Sequence, residues 1–384
     1  MVDANREKQM RMRLAAVAAW ALTGVVASGQ GPTELPPTGS PWEQVTTWTA
    51  VKPMETDNVV FANVPLISNP SASPDPGTPA GIREPLPNTA AAGTKDLHVD
   101  VYRVQSSKPT PVVVQLHGGG WIRGDRPNSY RSFGPFFAAG MSVVTVEYRN
   151  AKDAPAPAAV QDVRCALAWV KKNAATYNFD PNKVVTYGGS AGGHLALMAA
   201  YAPASFDPPG CTDQPKIVAV LDFYGASNVV DALTFRGSSN FTHQWMGTQL
   251  PMVPEAERAS GMPAGSPATT ANVGGNPDGM PAQPGRYVPR WPEPDTKTLE
   301  LAKSVSPMTY VRPGLPPTFI VNGDSDPTFD PSQSSQLKKA LDAAGVPNGQ
   351  DLVIGGKHGN FTPEENEKAM LYCLRFLKAH GVIE

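Results

Sequence analysis

The sequence has almost no excess of charge of either sign. Its 384 residues include 32 lysine and arginine residues and 34 aspartate and glutamate residues, which gives a formal net charge of −2. Proteins that bind nucleic acid or anionic lipid surfaces usually carry an excess of basic charge, often gathered in a patch. The composition therefore argues against nucleic acid as a partner and favours a small neutral or weakly charged substrate.

The sequence also has little that could span a membrane. Four basic residues precede the uncharged stretch 14–27, which ends among small residues. This stretch is shorter than the roughly 20 residues that a spanning helix needs, and its layout is typical of a secretory signal. We therefore predict a signal peptide over 1–29, cleaved near Gln30, no stable membrane insertion and a secreted or periplasmic protein. An uncleaved anchor is the alternative.

Proline and glycine, in contrast, are plentiful, with 41 and 35 residues. They concentrate outside the stretches that have strand or helix patterns. We predict a proline-rich linker and N-terminal extension over 30–95, then one folded domain over 96–384. An insertion at 227–301 is rich in proline, glycine and aromatic residues, and we interpret it as an irregular cap rather than another strand and helix unit. A solvated, disordered excursion is the alternative.

Within that domain, apolar strands and amphipathic helices alternate. Leu97, Val99 and Val101 alternate with polar residues, as in a half-exposed strand, whereas other apolar stretches are typical of buried strands, at 112–116, 141–146 and 217–223. Helical spacing occurs at 157–175, 191–202, 331–344 and 363–380. Alternation of this kind predicts an α/β fold with a mostly parallel sheet and helices on both faces.

A Gly-x-Ser-x-Gly turn, Gly188-Gly-Ser-Ala-Gly192, joins the apolar strand at 184–185 to a helix-forming run at 195–200. The motif by itself is weak evidence, because such patterns also occur by accident. A serine on a sharp turn between a strand and a helix, however, is exposed at the end of the sheet. This context predicts Ser190 as a nucleophile.

A serine hydroxyl needs a histidine to accept its proton, and in this architecture the histidine follows it in the chain. Four histidines do so. His358 lies in a glycine-rich loop after the apolar strand 351–354, where a loop can carry its side chain over the sheet edge. We interpret His194, on the helix of the serine, and His380, late in a terminal helix, as structural. His243, in the irregular insertion, remains a rival.

The histidine in turn needs a carboxylate, which should follow a strand. The segment 317–329 provides a strand and a turn that carries Asp324 and Asp326. We favour Asp326, because the proline after it holds it extended, whereas Asp324 suits the turn itself. With Asp330 these residues form an acidic cluster, but the spacing lacks the glycine and glutamate of a calcium loop. No metal is predicted.

Backbone amides of a glycine-rich loop can bind the negative charge that develops on a substrate carbonyl oxygen. The strand 112–116 runs into His-Gly-Gly-Gly-Trp at 117–121. We predict that the amides of these glycines, together with that of Ala191, form this oxyanion hole. Without the strand before them and the serine turn after them, three successive glycines would be interpreted as a flexible turn.

With these four motifs, 117–121, 188–193, 324–327 and 358–359, the sequence resembles the α/β-hydrolase superfamily. Within it, the sequence is similar to bacterial esterases and lipases of the hormone-sensitive-lipase-like group and to feruloyl-esterase-like carbohydrate esterases. The resemblance runs from about residue 96 to the C-terminus, outside the insertion. It implies an α/β-hydrolase fold, no cofactor, and Ser190, Asp326 and His358 as a catalytic triad. It also implies the amides of Gly119, Gly120 and Ala191 as the oxyanion donors. Phe329 and the insertion depart from the usual pattern.

We therefore expect a secreted serine carboxylic ester hydrolase that forms an acyl-enzyme. Its substrates would be small or short-acyl esters, or esters of a polysaccharide or polyester. A peptidase of the prolyl-oligopeptidase type and an inactive extracellular binding module are the alternatives. Trp121, Tyr224 and Trp245 are the candidates for the substrate pocket. Structural packing at the base of the glycine loop is an equally good interpretation of Trp121.

Cysteine is scarce, and its three positions allow at most one disulfide within the chain. Cys165 falls on the helix before the strand of the serine, and Cys211 follows the helix after it, so the two could meet on one face of the sheet. Export would allow them to pair. Three buried thiols, with Cys373, are an equally good interpretation.

Overall fold

The computed structural model describes residues 52–69, 93–127, 130–235, 237–248 and 294–384, together with two short strands at 252–254 and 287–289. The predicted signal peptide and the linker at 30–41 lie outside these residues, as does much of the predicted cap. No helix within the described ranges combines the length and the apolar character that crossing a membrane requires.

An eight-stranded sheet lies at the centre of the molecule. In chain order its strands are β1 Met54–Pro65, β2 Thr94–Arg103, β3 Thr110–Leu116, β4 Ser142–Val146, β5 Phe179–Gly189, β6 Ile217–Phe223, β9 Thr318–Gly323 and β10 Asn348–Val353. The order across the sheet is β1-β2-β4-β3-β5-β6-β9-β10. Each pair of neighbours among β4, β3, β5, β6, β9 and β10 is parallel, whereas β2 is antiparallel to β4 and to β1. Strands β7 Met252–Pro254 and β8 Tyr287–Pro289 form a separate antiparallel pair.

Helices pack on both faces of this sheet. They are α1 Gly134–Ala138, α2 Ala158–Lys172, α3 Ala174–Tyr177, α4 Ala191–Tyr201, α5 Val229–Thr234, α6 Ser239–Met246, α7 Thr296–Ser304, α8 Ser332–Ala343 and α9 Pro363–Ala379. One apolar core joins the sheet to α2, α4 and α8. A second core joins the opposite face to α1 and α9. The predicted α/β fold with a mostly parallel sheet is confirmed.

Helix α9 illustrates how local sequence sets these elements. Thr362 accepts a hydrogen bond from the amide of Glu365, and the Glu365 side chain accepts one from the amide of Thr362. Pro363, at the first helical position, needs no hydrogen bond from its nitrogen. This capping box supplies partners at the start of the helix, and the apolar side chains from Ala369 to Leu377 then face the sheet.

The start of the sheet differs from the prediction. Strand β1 lies within the segment that we interpreted as an N-terminal extension, yet it pairs with β2 along its length. The boundary at residue 96 is therefore too late. Strand β2 is also less exposed than its alternation suggests, because Tyr102 packs on Phe133 and Phe137, and Asp100 is bonded to Arg126. Long polar and aromatic side chains thus cover the face that was predicted to be exposed.

The described parts of the insertion are more regular than predicted, because they contain α5, α6 and α7. Asn228 caps α5 by accepting from the amides of Val230 and Asp231, and Asp295 caps α7 by accepting from the amide of Thr298. Polar caps at both helix starts explain why a proline-rich segment still forms helices here.

Cys165 and Cys211 form a disulfide, with their Cα atoms 4.8 Å apart. It joins α2 to the loop after α4. Arg164, the neighbour of Cys165, donates to Asp207 at 2.5 Å and to the carbonyl of Ala199 at 2.7 Å. Cys373 lies on α9, where it is free and buried in the second core. The pairing suggested by the sequence is confirmed.

Candidate active site

Ser190 lies at the sharp turn between β5 and α4, with φ of 58° and ψ of −123°. A side chain on Gly188 would collide with the backbone of Gly192, 2.5 Å away, and with the carbonyl of Leu116, 2.7 Å away. The glycines of the motif therefore let the strand and helix approach closely. The amide of Ser190 donates to the carbonyl of Phe223 at 2.8 Å, which fixes the strained turn to β6.

At the carboxyl ends of the strands, the imidazole of His358 lies between the hydroxyl of Ser190 and the carboxylate of Asp326. His358 Nε2 lies 2.7 Å from Ser190 Oγ, and His358 Nδ1 lies 2.7 Å from Asp326 Oδ2. The Asp326 side chain is 4% exposed and that of His358 is 18% exposed. With the carboxylate ionised, Nδ1 carries the proton and Nε2 faces the hydroxyl as an acceptor.

The acid loop is fixed by its own backbone. Asp326 Oδ1 accepts from the amides of Thr328 at 2.7 Å and Phe329 at 3.2 Å. Asp324 has a different role, because its Oδ1 accepts from the amide of Gly355 at 2.7 Å and so joins the acid loop to the histidine loop. Of the two carboxylates in the turn, the structure brings Asp326 to the imidazole.

The other histidines have partners elsewhere. His194, on α4, is fully buried, and its ring nitrogens contact Trp121 Nε1 and the carbonyl of Val305. His243 Nδ1 lies 2.7 Å from the hydroxyl of Thr248. His380 packs against Phe376 at the end of the terminal helix. Of the four candidates, His358 is the one that the structure places in hydrogen-bonding contact with Ser190.

The glycine loop after β3 lies directly against the nucleophile turn. A Cβ added at Gly118 would lie 3.0 Å from the carbonyl of Gly189 and 3.5 Å from Ser190 Cβ. Gly119 and Gly120 have φ of 120° and 61°, in the region that favours glycine. Ala191 begins α4, so its amide has no partner within the helix. These three predicted oxyanion donors therefore belong to two segments that meet beside Ser190.

Two of the three predicted pocket residues do not line a pocket. Trp121 and Trp245 are both fully buried. Their rings stack with centroids 4.5 Å apart, beneath the glycine loop. The prediction is therefore wrong for these two side chains, because a buried stack presents no face to a substrate. Tyr224, the third, is half-buried with its ring centroid 4.9 Å from that of His358.

Two phenylalanines that were not among the predicted pocket residues lie beside the triad. The ring of Phe329 is 5.4 Å from that of His358 and 5.8 Å from that of Phe241. Phe241, on α6, contacts the oxyanion loop so closely that a Cβ on Gly120 would lie 2.9 Å from Phe241 Cγ. The position of Phe329, three residues after the acid, could have indicated the first. Phe241 is one of the aromatic residues of the insertion that we interpreted as a cap over the site.

Burial disfavours the charged form of two titratable groups next to the nucleophile turn. Asp222, at the end of β6, is fully buried, and burial raises the pKa of its carboxyl to about 7. Its Oδ1 accepts from the amide of Gly225 at 3.0 Å. Burial lowers the pKa of His194 to about 4. His194 is therefore neutral at neutral pH, whereas Asp222 changes its charge in this range.

Comparison with known proteins agrees with this geometry. The BD-FAE family model matches residues 99–269 and 291–341. Esterase LipQ of Mycobacterium tuberculosis is 29% identical over 262 residues, which is 66% of this chain and 52% of that protein. Carboxylesterase NlhH of the same organism is 39% identical over 121 residues, 30% of this chain and 38% of its own length. The chain thus spans about half the length of LipQ and less of NlhH.

The fold is similar to that of a solved esterase. Propionate-bound esterase 2 of Thermogutta terrifontis superposes with a TM-score of 0.54 at 24% identity, covering 75% of this chain and 91% of that one. The same esterase phosphorylated by paraoxon gives a TM-score of 0.54 at 22% identity. Because the family model matches more than half of its residues, the chain belongs to the BD-FAE family, and it has the α/β-hydrolase fold.

Proposed function

We propose that the protein is a serine carboxylic ester hydrolase that works through an acyl-enzyme. The observation that carries this proposal is the continuous contact from Ser190 Oγ to His358 Nε2 and from His358 Nδ1 to Asp326, at 2.7 Å each. Two relatives, LipQ and NlhH, are named as an esterase and a carboxylesterase. These names support ester hydrolysis as the reaction.

In the first half of the reaction, Ser190 Oγ attacks the ester carbonyl while His358 Nε2 takes the hydroxyl proton. Asp326 stabilises the imidazolium and holds its orientation. The carbonyl oxygen becomes an oxyanion, which the amides of Gly119, Gly120 and Ala191 would bind. His358 then gives its proton to the leaving alcohol, so the carbon–oxygen bond of the alcohol breaks and the acyl group stays on Ser190.

In the second half, His358 takes a proton from a water molecule, which attacks the acyl-enzyme. The same amides bind the second oxyanion, and the returning proton restores the Ser190 hydroxyl. The products are the free acid and the enzyme in its starting state. Every proton that moves is handled by His358, and no cofactor enters the scheme.

A small acyl group fits the surroundings best. Phe241 and Phe329 crowd the space beside Gly120 and His358. The similar fold of the Thermogutta esterase has been solved with propionate and with butyrate bound. We therefore propose short-acyl esters as substrates, with the alcohol part being either a small molecule or a site on a polysaccharide or polyester.

Comparing two chromogenic substrates tests the reaction class. The wild-type protein should hydrolyse p-nitrophenyl acetate, and Ser190→Ala should lower that turnover by about 10⁶-fold. A proline p-nitroanilide should stay uncleaved, because the proposal is esterase and not prolyl-oligopeptidase chemistry. Cleavage of the anilide in preference to the ester, or full ester turnover by a purified Ser190→Ala variant, would refute the proposal. A folded wild-type protein with no turnover would favour the binding module.

We further propose that the protein is exported. The Cys165–Cys211 disulfide supports this, because disulfides persist in oxidising compartments. Expression of the full chain with its N-terminus should yield a periplasmic or secreted product that begins near Gln30, as measured by intact mass. A full-length product retained in the cytoplasm would contradict export and leave the ester chemistry untouched.

A further inference from the structure

The residue after the oxyanion glycines is in an unusual backbone conformation. Trp121 has φ of 59°, a left-handed region that a bulky residue rarely adopts. It follows Gly119 and Gly120, which also have positive φ. Such a conformation persists only when surrounding contacts determine it. Whatever holds Trp121 therefore also sets where the amides of the two glycines point.

The contacts that hold Trp121 are buried and specific. Its indole N–H donates to His194 Nδ1 at 3.1 Å, and the two rings meet edge to face with centroids 5.1 Å apart. One face of the Trp121 indole stacks on the ring of Trp245. The carbonyl of Trp121 accepts from the amide of Ala151 at 2.8 Å. Among these contacts, the bond to His194 joins the loop to the nucleophile helix.

His194 is suited to this bond because it can exist in one tautomer only. It must accept at Nδ1 from the indole, since an indole N–H cannot accept. Its Nε2, 2.7 Å from the carbonyl of Val305, must therefore carry the proton and donate. Burial lowers the pKa of the ring to about 4, so the neutral form persists at neutral pH. A protonated ring would instead turn a second N–H towards the indole.

We propose that His194 is a positioning residue of the oxyanion hole, which locks the Gly119 and Gly120 loop to the helix that begins with Ala191. His194 lies one turn after Ser190 on α4, and its amide donates to the carbonyl of Ser190 at 3.1 Å. The amides from the loop and the amide from the helix therefore share one rigid link. This inference rests on the proposed ester hydrolysis and assigns a role to a residue outside the triad.

Paired substitutions separate the two bonds of His194. In His194→Asn the amide oxygen can replace Nδ1 as the acceptor for Trp121, while the donor to Val305 is lost. In His194→Gln the longer amide can still donate to Val305, while the acceptor near Trp121 is lost. Trp121→Phe removes the same bond from the other side. Trp245 Nε1 has no hydrogen-bond partner among the described residues, so Trp245→Phe tests packing in the stack without the loss of such a bond.

The measurement is kcat and KM with p-nitrophenyl acetate, on variants whose circular dichroism matches that of the wild type. Deleting an oxyanion donor costs about 10²–10³ in turnover, so displacing donors should cost roughly 10- to 100-fold. We expect this loss in kcat, with KM within about twofold, for His194→Gln and Trp121→Phe. The double variant should lose no more than either one, and His194→Asn and Trp245→Phe should lose less than about fivefold.

Two outcomes would overturn the inference. Turnover near that of the wild type in folded His194→Gln or Trp121→Phe would show that the bond is not needed. Equal losses in the Asn and Gln variants, or in the two tryptophan variants, would show a general packing role. A wild-type protein that does not hydrolyse the ester at all would instead refute the proposed function, so the two failures are distinguishable.

Discussion

The acid loop contains two carboxylates that differ in what they contact. Asp326 bonds the imidazole of His358, whereas Asp324 bonds the amide of Gly355. In Asp326→Asn the amide can no longer stabilise the imidazolium and favours the wrong tautomer. We expect kcat with p-nitrophenyl acetate to fall by about 10⁴-fold.

The matched control is Asp324→Asn, whose amide oxygen can still accept from Gly355. Its kcat should stay within about tenfold of the wild-type value, because only a surface hydrogen bond is weakened. A larger loss in Asp324→Asn than in Asp326→Asn would reverse the assignment of the two carboxylates.

Asp222 makes stability depend on pH. Burial raises its folded-state pKa to about 7, from 3.8 for an exposed carboxyl. The folded protein thus binds this proton more tightly than the unfolded chain does. The contribution of this proton to the free energy of unfolding is fully present below pH 3.8 and is lost as the pH rises from there to about 7.

Asp222→Asn cannot ionise, so it should escape this loss. Relative to the wild type, the variant's free energy of unfolding should rise by about 4 kcal/mol between pH 4 and pH 8. Urea unfolding at the two pH values measures this difference, and the titration of His194 cancels because both proteins contain it. A constant difference between the proteins would contradict a buried neutral carboxyl.

At the scale of elements, helix α6 brings an aromatic side chain to the oxyanion loop. Phe241 contacts Gly120 and Phe329, so it restricts the space beside the reacting carbonyl. Phe241→Ala should therefore favour longer acyl chains. We expect the ratio of kcat/KM for p-nitrophenyl octanoate to that for acetate to rise by about tenfold or more.

Phe206→Ala is the control for this change, because Phe206 pairs with Tyr310 rather than with the oxyanion loop. It should lower stability without altering the chain-length ratio. If both variants shift the ratio equally, general loosening of the fold explains the effect and Phe241 does not select the acyl group.

Sequence patterns predicted the elements that repeat regularly. Helices α2, α4, α8 and α9 lie where helical spacing placed them. Helices α2, α8 and α9 bury one apolar face, whereas nearly every residue of α4 is buried. Strand β1 was missed, since its burial is slight and its pairing with β2 is interrupted by irregular register. Helices α5 and α6 were missed because they have only six and eight residues, depend on tertiary packing and show little periodicity.

Ser190 and His358 are 168 residues apart in the chain, so local spacing could not connect them. The triad was predicted from the order of the motifs and from the resemblance. The buried Trp121 and Trp245 stack could not be predicted in this way. Sequence patterns place aromatic residues near a site. Whether such a ring is buried in the core or lines the pocket depends on contacts between segments that are far apart in the chain. The same holds for His194, whose partners lie 73 and 111 residues away.

The disulfide links distant parts of the chain and should stabilise the whole domain. Cys165 and Cys211 are 46 residues apart, and closing such a loop contributes about 4 kcal/mol in the chain-entropy account. Replacing both cysteines by alanine should lower the free energy of unfolding by about 2–4 kcal/mol. Reductant should lower the wild-type value to the same level. A reductant-sensitive variant, or an unaffected wild type, would contradict this assignment.

The most direct test of the account is covalent trapping of the nucleophile. The folded wild-type protein is treated with diethyl p-nitrophenyl phosphate, and peptide mass spectrometry locates the adduct. One diethylphosphoryl group per chain on Ser190, with release of one p-nitrophenolate and none from Ser190→Ala, is the predicted result. A folded protein that takes no label, or that loses esterase activity through a label on another residue, would contradict the triad.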